Sequence, residues 1–170
     1  MITLIKPSVQ LEVEYLDFLT EWQQSGEAIV PSVVSKTFLP LADFLEAQQQ
    51  EEQVAPKNWV THSTYWLYDG QRIVGAVNFR HDLNDQLQQI GGHIGYGIRP
   101  SARQNGYATE GLRQALAVAR ERGLASVLIT CSADNIASGR VILANGGQEI
   151  ASYVTEDGGR VRRFIIPLGE

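Results

Sequence analysis

Apolar residues recur along this chain with two different periods, and the changes of period predict an order of elements. Met1 to Ile5 alternates weakly and is rich in β-branched residues, which predicts a short first strand stopped by Pro7. Leu11, Tyr15, Phe18 or Leu19, and Trp22 fall on one helical stripe, so Ser8 to about Gln24 should be an amphipathic helix capped by Ser8. Gly26 to Leu39 carries Pro31 and no helical period, which predicts a substantial loop. A second helix is expected from Pro40 to about Gln53, with the Gln/Glu run of Ala47–Gln53 as its solvated face. Ser63–Tyr68 and Arg72–Phe79 flank Asp69-Gly70, a hairpin signal. Ile90 to Ile98 is a further strand, in which Gly91, Gly92, Gly95 and Gly97 favour a bulge or the close approach of a ligand. Ala108, Leu112, Ala115, Leu116 and Ala119 share one face of a helix from Tyr107 to Arg122, closed by Gly123. Val127 to Cys131 is continuously apolar and should be a central strand buried on both faces. Asn135 caps a helix that runs to Asn145 and ends at Gly146-Gly147, and Ile150–Val154 with Val161–Pro167 form a terminal hairpin.

With 170 residues and neither an internal repeat nor a linker, residues 1–170 are expected to form one domain. A hydrophobic fraction of 44% is enough for a core, and a net charge of −5 disfavours a nucleic-acid partner. Cys131 is the one cysteine, so no intrachain disulfide can form. The N-terminus is too short in apolar residues for a signal peptide and no stretch approaches a membrane span, which makes the cytoplasm the default location.

The informative stretch is Ile98-Arg-Pro-Ser-Ala-Arg103-Gln-Asn-Gly106-Tyr-Ala108, between a glycine-rich strand and the best helix. A helix N-terminus leaves backbone N–H groups unpaired, and a loop curling toward the same point adds more, so the two together suit phosphate oxygens. Gly106 admits a positive φ, Ala108 keeps the helix start open, and Arg103 supplies charge. An ordinary connection is the bland alternative. A dinucleotide-type glycine motif fails because position 100 is Pro, and no Gly-Lys-Ser/Thr occurs.

Arg103, Gly106 and Ala108 match the signature of the Gcn5-related N-acetyltransferase (GNAT) family: Arg or Gln, two residues, Gly, one residue, then Gly or Ala. Their setting is similar too, with a strand ending near Pro100, a helix, the buried strand Val127–Cys131, Asn135 and Gly146. Gly91-Gly92-His93-Ile94-Gly95-Tyr96 resembles a bacterial subgroup of that family.

The resemblance implies an α/β (α+β) fold: a mixed, mostly antiparallel sheet of about six to seven strands, splayed at a cofactor slot and flanked by about four helices, with a cofactor-binding core near residues 73–147. It implies acetyl-CoA as co-substrate, its diphosphate on Arg103, Gln104, Asn105, Gly106, Tyr107 and Ala108, and its pantetheine arm beside Asn135 and Ser138. The N–H of Ile98 would face the thioester carbonyl as an oxyanion donor. Asn135 is equally a plain helix cap. His93, on the strand before the loop, is the first choice for general base, with a structural role within the sheet as the alternative. His81 is weaker, and His62 has no supporting context. The usual tyrosine acid falls on Ile142, which leaves Tyr96, Tyr153 or water to protonate the leaving thiolate. Cys131 reads as an inert core thiol rather than a nucleophile. No metal-ligand spacing occurs, so no metal is expected.

The acceptor would be a small-molecule or peptide amine, its pocket drawn from Gly26–Leu39 and Trp59–Trp66. The family commonly forms homodimers, but no residue pattern here decides that. Two other functions stay open at this level: a CoA-binding sensor or partner module with little catalysis, and a nucleotide-binding or interaction domain that shares only the loop-helix geometry.

Overall fold

The structure is a computed structural model that describes residues 1–169. Strands β1 (Thr3–Ile5), β2 (His62–Tyr68), β3 (Ile73–Arg80) and β4 (Ile94–Ile98) form one sheet in that order. A second sheet is ordered β5 (Ser126–Ser132), β7 (Arg160–Pro167), β6 (Gln148–Val154). Every paired ladder is antiparallel. The long helices are α1 (Glu12–Ser25), α3 (Leu41–Glu51), α5 (Tyr107–Glu121) and α6 (Ile136–Ala144), the four that the periodicity predicts. Two short helices are additional, α2 (Ser32–Ser35) inside the expected loop and α4 (Asp85–Gln89) before β4. Neither contains enough residues to show a helical period.

Local chemistry sets the boundaries. Ser8 Oγ accepts from the N–H of Gln10 at 3.2 Å, opening a short 3₁₀ turn that leads into α1, and Gly26 ends α1 at φ 75°. The β2–β3 turn is held by Asp69 Oδ1, which accepts from the N–H groups of Gln71 and Arg72 at 2.9 and 2.8 Å. The strand expected from Ile90 begins only at Ile94. Asn84 caps α4 through the N–H of Leu87, and Gly91 and Gly92, at φ 105° and 58°, turn the chain sharply into β4. The Gln/Glu face of α3 is not wholly solvated, because Gln48 packs inward and is 8% exposed.

Two hydrophobic clusters lie on opposite faces of the first sheet. Leu112, Ala115 and Ala119 of α5 pack with Val74, Val77, Ile94, Val127, Ile129 and Phe164. Tyr15, Phe18 and Trp22 of α1 pack with Val34, Leu41, Phe44 and Trp66. The central strands are thus covered on both faces, and β5, at the edge of its own sheet, lies beside β4 in the middle of the seven strands.

Candidate active site

Strands β4 and β5 touch at one end and part at the other. At the closed end His93 N–H donates to Leu128 O at 2.7 Å, Leu128 N–H donates to His93 Nδ1 at 2.9 Å, and Gly91 N–H donates to Thr130 Oγ1 at 2.8 Å. Among the described residues Gly92 and Ile129 form the one β-bridge between the sheets. Beyond that point the ladder stops.

The register of β4 on β3 decides what faces the gap. Gly97 lies opposite Ala76 and Ile98 opposite Gly75, while Arg99 N–H donates to Val74 O at 2.8 Å. Bonded and non-bonded pairs alternate in an antiparallel ladder, so Tyr96 and Ile98 turn their N–H and C=O groups away from β3 and toward the slot. The carbonyl of Ile98 accepts from Arg103 Nε at 3.0 Å on that side.

A cavity of about 610 Å³ fills the gap. Of the residues expected to hold the cofactor, Ile98, Arg103, Gln104, Gly106, Tyr107, Ala108, Asn135 and Ser138 line it. Asn105 does not. Its Nδ2 donates to the carbonyls of Ala102 and Arg103, both at 3.0 Å, and so braces the loop from behind. Gln104 and Gly106 adopt left-handed conformations, at φ 62° and 75°, which curl the loop around the start of α5. No side chain caps α5, and among the described residues the N–H groups of Gln104 through Ala108 make no hydrogen bond within the protein. A Cβ on Gly106 would meet nothing within 4 Å, so the space in front of these amides is open. Unpaired amides converging at a helix N-terminus suit an anion.

Arg103 is already engaged. Its Nη1 and Nη2 donate to the two carboxylate oxygens of Glu27 at 3.1 and 2.6 Å, and its guanidinium lies 5.6 Å from the Trp22 ring centroid. The partners are 40% and 52% exposed, so this ion pair is weak and readily exchanged for another anion. Asn135 Oδ1 accepts from Ser138 N–H at 3.1 Å, the cap geometry that its position predicted, while the residue also lines the cavity. Ser138 Oγ meets the Tyr96 hydroxyl at 2.8 Å, which spans the slot from β4 to α6. Burial pushes the Tyr96 phenol up to about 12 against the opposing pull of that hydrogen bond.

The remaining candidates lie elsewhere. His93 does not line the cavity, and burial lowers its pKa, with Arg80 acting in the same direction and Asp82 opposing. His81 is bonded to Ser63, Thr61 and Arg122, and burial lowers it to about 4. His62 is buried between Glu51, at 2.9 Å, and Asn78, at 2.8 Å, and faces a different cavity. Tyr153 is on β6, outside the slot, and Ile142 is fully buried in the core. Cys131 is buried, which raises its pKa and keeps the thiol protonated. No group of three or more His, Cys, Asp or Glu among the described residues is arranged to hold a metal ion. Among the described residues no helix is long and apolar enough to cross a membrane.

The glycines of β4 need correcting. Their missing side chains make room for protein atoms rather than for a ligand. A Cβ on Gly95 would come within 3.0 Å of the Arg80 guanidinium, and one on Gly97 would run into Trp22 and the Val30 carbonyl. Trp22 is a slot residue that sequence reasoning missed, whereas Glu27, Ala28 and Val30 fall within Gly26–Leu39, the segment expected to border the acceptor pocket. Trp22 was legible only as an apolar position on a helical stripe, and nothing local to Glu27 points to residue 103.

Fold and site together define an acyltransferase of the α+β class. The profile described as an acetyltransferase (GNAT) domain matches residues 11–148, and the chain belongs to that family, the Gcn5-related N-acetyltransferases. No curated protein matches it in sequence. Among solved structures it is similar to the microcin C7 self-immunity acetyltransferase MccE, in complex with acetyl-CoA and AMP, at 17% identity and TM-score 0.70 over 98% of this chain and 92% of that one. It is similar to RimL, a ribosomal L7/L12 α-N-protein acetyltransferase in complex with coenzyme A, at 14% identity and TM-score 0.67 over 98% and 93%. A chimera of spermidine N-acetyltransferase SpeG from Vibrio cholerae and hSSAT gives 15% identity and TM-score 0.66 over 98% and 95%. At these identities the likeness is one of fold.

Proposed function

We propose that this protein binds acetyl-CoA in the slot and transfers the acetyl group to an amine by direct attack within a ternary complex. The observation that carries this reading is the cluster of unpaired amides from Gln104 to Ala108, at one end of a cavity that runs to Ile98. Those amides and the N-terminus of α5 hold the diphosphate, and Arg103, still paired with Glu27, adds positive charge beside them. Asn135 and Ser138 flank the arm that enters between β4 and β5. Attack by the amine forms a carbon–nitrogen bond and breaks the carbon–sulfur bond. The N–H of Ile98 faces the oxygen on which charge develops.

Tyr96, two residues before Ile98 on β4, carries a hydroxyl that spans the slot. A phenol held at about 12 does not give its proton to a thiolate whose thiol ionises near 8.5, so Tyr96 stabilises the leaving sulfur by donating a hydrogen bond and the proton comes from solvent. No free protein base lines the slot. Glu27 is paired with Arg103, whose hydrogen bond lowers its pKa, so the amine loses its proton to water. His93 acts as a positioning residue at the closed end of the fork. We place the reaction in the cytoplasm, where Cys131 stays a thiol.

Calorimetric titration with acetyl-CoA and desulfo-CoA, followed by thiol release with a panel of amines, tests this reading. Both ligands should bind, and Gly106→Val should weaken them at least tenfold by filling the space before the amides. Wild-type protein that binds neither would reject the reading. Binding with no thiol release for any amine would favour a CoA-binding module, which the replacement of the usual tyrosine by Ile142 would suit.

A further inference from the structure

A second cavity, of about 520 Å³, lies on the side of the first sheet covered by α1 and α3. Ser32 and Val33 form part of its wall, and Val30, two residues earlier on the same loop, lines the slot. The two cavities are therefore neighbours across one segment of chain. Arg80 lines the second one, and its guanidinium lies against Gly95 of β4.

Arg80 is 8% exposed, and no carboxylate pairs with it among the described residues. Its Nη1 donates to the carbonyls of Gly91 and Gly92 at 3.1 and 3.5 Å, while Nε has no partner. Burial alone lowers its pKa, to about 10, so it stays cationic at neutral pH. A buried guanidinium that meets only carbonyl dipoles is under-compensated, and an anion would complete it. Lys36 and Lys57 add positive charge to the same cavity. The one carboxylate there, Glu51, is taken by His62. His62 is in turn held by Asn78, and burial lowers its pKa. The lining is cationic and would repel an acceptor carrying several positive charges.

We propose that this cavity is the outer part of the acceptor site and that it selects amines which also carry an anionic oxyacid group, a carboxylate or phosphate, bound by Arg80. The inference rests on the acetyl-transfer reading. From Gly95 to Ile98 is three residues of strand, roughly 10 Å at about 3.3 Å per residue. A dipeptide spans such a distance between its amine and a side-chain anion, whereas the amine and carboxylate of a single α-amino acid do not. The acceptor class is thus an amine, such as a peptide N-terminus, with an acidic group one or two residues away. Arg80 acts here as a specificity residue.

The test compares alanyl-glutamate, alanyl-phosphoserine, alanyl-glutamine amide and spermidine as acceptors at saturating acetyl-CoA. The two acidic dipeptides should show kcat/KM at least tenfold above the neutral one, with spermidine the poorest. Their relative rates separate carboxylate from phosphate. Arg80→Met should abolish the preference by raising KM for the acidic dipeptides, with acetyl-CoA affinity within about twofold of wild type. If that variant does not fold, Lys36→Ala with Lys57→Ala should reduce the same preference. Equal or better use of the neutral dipeptide or spermidine would overturn the inference, as would a preference that survives Arg80→Met. Should wild type turn over none of them, alanyl-glutamate must still bind the acetyl-CoA complex in calorimetry, and no binding overturns the proposal. Failure to bind acetyl-CoA at all would instead strike the underlying reading.

Discussion

His93 carries the side chain whose ordinary pKa best suits proton transfer at neutral pH, and its place before the slot made it the natural base. In the fold its Nδ1 accepts from Leu128 N–H, and the ring closes the narrow end of the fork. His93→Ala should leave that buried N–H without an acceptor, which costs about 1–3 kcal/mol and lowers Tm. The pH dependence of kcat/KM should keep its acid limb; loss of that limb would make His93 the base. At this scale legibility followed locality. Arg103, Gly106 and Ala108 stand within six positions and form a pattern in the sequence. The Glu27 that pairs with Arg103 is 76 residues away, and Arg80 meets the glycines of β4 only once β3 and β4 have paired. No local period encodes such contacts.

Among the elements, α1 and the loop before α5 must keep a fixed relation, because each forms one wall of the slot. Arg99, 2% exposed, fixes it. Its Nε donates to Glu21 at 2.6 Å, Nη2 to Asp17 at 2.8 Å and Nη1 to the Ile73 carbonyl at 3.1 Å, while Ser101 N–H donates to Glu21 at 2.8 Å. Arg99→Met should destabilise the fold by on the order of 2 kcal/mol, because the partly exposed carboxylates can rehydrate. It should also weaken acetyl-CoA binding by loosening α1 over the slot. Unchanged affinity and Tm would contradict this. The long helices and the hairpins were legible because stripe, cap and turn residues agree on them. The short helices α2 and α4 were not, since four or five residues hold barely one turn of pattern. Asn84 and Gly91-Gly92 were the available signals for α4 and for the late start of β4.

Across the whole molecule, two sheets bridged at the foot of the fork make the slot, and periodicity alone does not give the strand order; the family resemblance supplied the expectation of a splayed sheet. Acid should expose how the molecule is held together. His62, His81 and His93 all titrate below their ordinary value of 6.5, chiefly through burial, so the unfolded chain binds protons more readily than the native one just below that pH. Stability should thus be level above about pH 6.5 and fall as the pH drops toward 4, the value to which His81 is lowered. Burial raises Glu21, but the hydrogen bonds from Arg99 and Ser101 outweigh it and hold the carboxyl at about 2, so a further loss should begin below its ordinary 4.5. Denaturant midpoints across that range check both steps, and a midpoint unchanged between pH 6.5 and 4 would contradict the first. The central claim is that the amides at the head of α5 receive the diphosphate of acetyl-CoA, and amide chemical shifts of isotope-labelled protein test it most directly. On titration with acetyl-CoA the largest shifts should fall on Gln104 through Ala108, with Ile98 following; saturable binding that leaves those amides unmoved would contradict it.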